Sequence, residues 1–148
     1  MKSMIILMVC TFCLSTTNCK SQNSEKDMKK EITEVIETFI IAGEKRDIPA
    51  FDTILHPDFR VIVNQYPTPE KTSIIPGAGY IALMTQEKIG GKKYDTEFLN
   101  INVAKHSATA IVLLKNKESS MQVTFLLIKN NEDQWQIISD LAIQNPGS

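Results

Sequence analysis

The chain has 148 residues, 43% hydrophobic and 22% charged, with 16 basic residues against 17 acidic ones for a formal net charge of −1. That length supports one domain with a real core and is too short for two comfortable ones. The charge gives no electrostatic reason to expect nucleic acid, which demands a basic face, and no apolar run is long enough to span a membrane as a mature helix.

Residues 1–19, "MKSMIILMVCTFCLSTTNC", have the layout of a secretory signal: a lone Lys2, an apolar run from Met4 to Leu14, then small polar residues ending at Cys19. All three cysteines, Cys10, Cys13 and Cys19, lie inside it. No A-x-A site is present, and a cysteine stands where cleavage should fall. The segment resembles a bacterial lipoprotein signal, which implies that Cys19 becomes the lipidated first residue. Asn18 stands where such signals usually carry a smaller residue, so ordinary secretion with cleavage near Cys19 is the alternative. The expectation is a protein exported to the cell envelope and anchored to a membrane by lipid, or else a soluble periplasmic or secreted one. Residues 20–27 open a polar stretch, "KSQNSEKDMKK", that lacks apolar periodicity and is expected to be a tether.

Residues 28–144 form the expected domain, with 145–148 as a tail. Met28, Ile32, Val35, Ile36, Phe39 and Ile40 fall at steps of three and four, placing one apolar stripe on a helix. A second short helix is expected at "DIPAFDTILH", with Asp47 as N-cap, Pro49 in the first turn and Pro57 as the stop. "FRVIV" reads as a strand, and "NQYPTPEKTSIIPGAG" as a long Pro/Gly-rich connection able to cover a pocket mouth. A third helix is expected from Gly79 to Lys88, closing at Gly90 and Gly91. Four strand-like runs follow, "YDTEFLNINVA", "SATAIVLLK", "SMQVTFLLIK" and "QWQIISDLAIQ", joined by hairpin-length polar linkers. Helices before strands argue α+β, with three helices packed on one face of a curved antiparallel sheet.

The segments "FIIAGEKRDIPAF", "LHPDF", "GYIALM" and "TFLLIKNNEDQWQIISDLAI" resemble the nuclear transport factor 2-like superfamily, closest to its putative lumazine-binding and SnoaL-like domains. The resemblance implies a cone: a bent sheet wrapping three helices and leaving a pocket at the open end. Enzymes of the ketosteroid isomerase pattern use a Tyr on the first helix and an Asp base on the strand after the second. Here Phe39 falls at the Tyr position, and the strand offers Arg60, Val61, Ile62, Val63 and Asn64, with no carboxylate. The SnoaL-like cyclases use a carboxylate from a later strand, for which the candidate is Asp140. An acid opposite a lysine on a neighbouring strand is its commoner explanation.

His56, two residues before Asp58 across Pro57, could form an acid–base pair, yet turn geometry is the simpler explanation of such a corner, and His56 is expected to be structural. His56 and Asp140 are therefore weak catalytic candidates. His106 falls in a hairpin turn, and with so few His and Cys no metal site is expected. The ligand-pocket candidates are Asn64, Tyr66, Tyr80 and Trp135, with packing as the simpler reading of Trp135. These residues favour a non-catalytic module binding a small apolar or aromatic molecule, or a partner protein, without a cofactor. The alternative is a small cyclase, dehydratase or isomerase. The runs "AIVLL" and "FLLI" do not alternate apolar with polar, so the outer sheet face is expected to be apolar and buried in a homodimer.

Overall fold

The computed structural model describes residues 18–65 and 68–145. The signal segment before Asn18, the side chain of Cys19 and all of Tyr66 lie outside the described residues. Helix α1 spans Asn18–Lys45, ten residues longer at its start than the apolar stripe alone indicates. The expected tether is thus helical in backbone. Ser24 to Asp27 of this stretch are exposed, but a helix already formed extends at little cost, and the Glu25–Lys29 pair at 2.7 Å supports it at i,i+4. Ile32, Ile36, Phe39 and Ala42 form the buried stripe.

Helix α2 covers Ile48–Ile54, with Pro49 in its first turn and Phe51 and Ile54 buried. Asp47 occupies the N-cap but makes no side-chain cap bond. The helix ends before His56–Pro57 because Leu55 is already extended, pairing with Ile137 on the last strand. Strand β1, Leu55–Asn64, therefore begins four residues earlier than expected. The long connection contains a strand that the sequence reading missed, β2 at Thr72–Pro76, antiparallel to β1. "TSIIP" is too short and too Pro-rich to declare itself, and its position is an edge, where Pro is tolerated. Helix α3 is Gly77–Thr85, starting directly where β2 ends.

Strands β3 (Asp95–Val103), β4 (Ser107–Lys115), β5 (Ser120–Lys129) and β6 (Trp135–Asn145) form the meander. The six strands lie in the order β2-β1-β6-β5-β4-β3. The β1–β6 pairing is parallel, a departure from the all-antiparallel sheet expected. Bulges between Phe98 and Asn100 and between Leu126 and Leu127 interrupt the register, the device by which a sheet bends. The fold is α+β, with helices packed against a curved sheet. Ala108, Ala110, Val112, Leu114, Val123, Phe125 and Leu127 alternate inward and are buried beneath them.

Candidate ligand site

Five aromatic rings meet between the helices and the sheet. Phe39 of α1 sits at the centre, 5.5 Å from Phe51 of α2, 6.0 Å from Phe59 of β1 and 5.5 Å from Phe125 of β5, each edge to face. Tyr80 of α3 lies nearly flat on Phe39, at 5.9 Å and 14°. Its ring is edge-on to Phe51 and Phe59 at 5.8 and 5.7 Å. Offset and T-shaped pairs of this spacing are favoured by the ring quadrupoles. The rings come from five elements, so no sequence period links them. Of the five, only Phe39 and Tyr80 stood out beforehand.

The inner face of β6 brings Asp140 to this cage. Asp140 is opposite Phe125 on one side and Val61 of β1 on the other. It faces no lysine, which overturns the ion-pair reading of its role. The residue is 5% exposed, and its Oδ1 has no hydrogen-bond partner. Burial pushes the carboxyl up to about 7, so near neutrality it can accept or donate. Burial, and then the Asp140 charge, hold the Tyr80 phenol well above its ordinary range. The two groups therefore sense one another.

The placement of α3 rests on a clamp at its far end. Arg46, at φ 54°, donates from Nε to the Ile89 carbonyl at 3.1 Å and from Nη2 to the Gly90 carbonyl at 3.2 Å. Gly91 N–H donates to the Gly43 carbonyl at 3.0 Å, tying the loop after α3 to the end of α1. Tyr80, in the first half of α3, is thereby held over the cage.

The other candidates lie apart from this group. His56 is in β1, where its Nδ1 accepts the Asp58 backbone N–H at 3.1 Å. Its Nδ1 is 3.8 Å from the exposed Asp58 carboxylate, so the pair turns on its own corner. Asn64 ends β1 on the outer face and accepts from Thr72 Oγ1 at 2.8 Å. Trp135 is buried, donates from Nε1 to Glu31 at 3.1 Å and lies beneath Lys129 Nζ at 5.2 Å. That contact pins β6 to α1 and leaves the indole out of the cage. His106 is exposed in its hairpin. Among the described residues no three His, Cys, Asp or Glu gather as a metal site would need.

Helices packed against a curved six-stranded sheet are the nuclear transport factor 2-like fold. Residues 27–141 match the family model described as Putative lumazine-binding, and the chain belongs to that family. Solved structures share the fold at low identity. A nuclear transport factor 2-like protein of Silicibacter pomeroyi DSS-3 aligns over 82% of this chain and 98% of its own, at 13% identity and TM-score 0.70. One from Shewanella baltica OS155 aligns over 90% and 100%, at 15% identity and TM-score 0.67. A third, with a cystatin-like fold, from Novosphingobium aromaticivorans, covers 90% of this chain and 92% of its own, at 15% identity and TM-score 0.63. No curated protein matches the chain.

Proposed function

We propose that the protein is a non-catalytic binding module for a small aromatic or largely apolar molecule, held in the cone at the cell envelope. One observation carries the reading: beside Phe125 of the ring cluster lies a carboxyl, the one buried charged group among the described residues, whose Oδ1 has no partner. A buried polar atom without a partner calls for an explanation, and a ligand that supplies the missing donor is one. The family's description, which names a heterocyclic ligand, points the same way.

The Asp140 carboxyl, pushed up to about 7, favours a second reading as a cyclase, dehydratase or isomerase. Acid–base turnover generally needs a second group to hand the proton on. Tyr80, held far above neutrality, is a poor acid, and His56 is engaged in its own turn. Binding is therefore preferred.

The envelope assignment rests on the sequence of residues 1–19, with Cys19 as the lipidated residue. No helix among the described residues is long and apolar enough to cross a membrane. Two tests apply. Native mass spectrometry of protein isolated from its own host should show a small bound mass, lost in Asp140→Leu; a bare chain in every preparation would sink the binding reading. Globomycin or Cys19→Ser should change processing and release the protein from the membrane fraction, whereas unchanged processing of soluble protein would establish plain secretion.

A further inference from the structure

Among the described residues no cation pairs with Asp140. β1 presents Val61 and β5 Phe125, and Tyr80 of α3 is near enough for the two charges to interact. Tyr80 is the one titratable group among these, and its charge interaction with Asp140 is repulsive. Transferring a carboxylate into such surroundings is costly unless an opposite charge or strong donor joins it. The rings add a second preference, because aromatic faces attract cations and repel anions. An unpaired acid beside a cluster of aromatic rings fits one class of molecule, an organic cation with an apolar body.

The Tyr80 ring marks where that body would lie. It is flat on Phe39 and edge-on to Phe51 and Phe59, as a bound aromatic ring would be. The phenol end is close enough to Asp140 to feel its charge. Unlike the four phenylalanines, which are buried, Tyr80 is only half-buried. The Arg46 clamp holds the far end of α3, so opening this place would fall to the Tyr80 side chain alone.

We propose that the cone binds a primary arylalkylammonium ion, its ammonium paired with Asp140 and its ring in the place of the Tyr80 ring against Phe39, Phe51 and Phe59. This rests on the aromatic-ligand reading above and deepens it. Tyr80 is then an internal plug, and the free protein is the closed form. Binding is coupled to a proton. Below about pH 7 the free site holds Asp140 neutral, and the bound site needs it ionised, so binding releases one proton. Affinity falls as pH drops below 7 and levels off above it.

The test is calorimetric titration of the purified protein with benzylammonium and with its neutral analogue benzyl alcohol, at pH 5 to 8. Benzylammonium should bind at pH 8 at least about tenfold more tightly than benzyl alcohol, and weaken by about tenfold per pH unit below 7, the limit for one linked proton. Its heat at pH 6 should vary with the ionisation heat of the buffer. Asp140→Asn, which keeps the side-chain volume and removes the charge, should abolish the preference. Tyr80→Ala should tighten benzylammonium binding by removing the plug. Equal binding of the two probes, or a preference that survives Asp140→Asn, would overturn the cation assignment and leave an aromatic site standing. No binding of either probe to any variant would remove both.

Discussion

Asp140 stands directly across the β5–β6 pairing from Phe125, a carboxyl beside a ring that is 0% exposed. A carboxyl held at about 7 in the fold and 3.8 in the unfolded chain keeps a proton that the unfolded chain has lost between those values. Stability from this group is greatest at or below pH 4 and declines as pH rises to 7. The span corresponds to an upper bound of about 4 kcal/mol. Asp140→Leu should therefore raise the urea midpoint at pH 8, with the gain over wild type shrinking towards pH 5. An equal effect at both pH values would show that the carboxyl titrates normally.

The residues that build this relationship were legible to different degrees. The apolar stripe of α1 and the meander were readable because each is a local period, and the family resemblance supplied the cone. Asp140 was recognised as a candidate, but its surroundings were misjudged: its neighbours are Phe125 and Val61, and the parallel β1–β6 pairing that supplies Val61 joins segments far apart in the chain, where no local period reveals it. Asn64 and Trp135 were picked by residue type alone; strand alternation puts Asn64 on the outer face, and Trp135 lines an open hollow with Glu31, outside the ring cluster. The tethering stretch has no apolar period, so only its continuity with α1 makes it helical.

Phe39 touches four other rings, the most of any cage member. Phe39→Ala should cost about 3–5 kcal/mol, the usual range for emptying a buried aromatic site. Denaturant titration measures it. A loss below about 1 kcal/mol would mean that the cage collapses to fill the hole, and that its rings are not held in place.

Gly90 has φ +73°, and a Cβ there would lie 2.3 Å from Met84 Sδ and 2.6 Å from the Gly43 carbonyl oxygen. Met84 could give way, but the backbone oxygen cannot do so cheaply. Gly90→Ala combines that clash with a left-handed conformation costing roughly 1–2 kcal/mol, so a loss above about 2 kcal/mol is expected. The Arg46 clamp should loosen with it, read as faster amide exchange at Gly91. Wild-type exchange in the variant would show that the clamp does not depend on this turn.

His56 accepts the Asp58 N–H through Nδ1 and sits apart from the cage. His56→Gln should thus leave ligand binding within several-fold and lower stability by about 1 kcal/mol, the net worth of one hydrogen bond. Should an activity be found, a fall of about 10²-fold on this change, the low end for losing a general acid–base, would place the histidine in the chemistry after all.

Pairing across the strands aligns Ile74, Ile62, Leu141, Thr124 and Ile111 in one row, and Leu126, 40% exposed, stands beside it. Their neighbours along each strand point inward to the helices, so this set is what the non-alternating runs leave outside. An apolar surface this continuous favours burial against a partner. A second copy paired about a two-fold axis would cover both faces at once, since such an interface is self-complementary. We propose a homodimer through this face. The protein without lipid should scatter light as a dimer at micromolar concentration, and Leu126→Glu or Leu113→Glu should convert it to a folded monomer, because either places a charge in a desolvated patch. Leu113 shares this face, opposite Gln122. A wild-type monomer at those concentrations would refute the dimer and leave the outer face to a different protein.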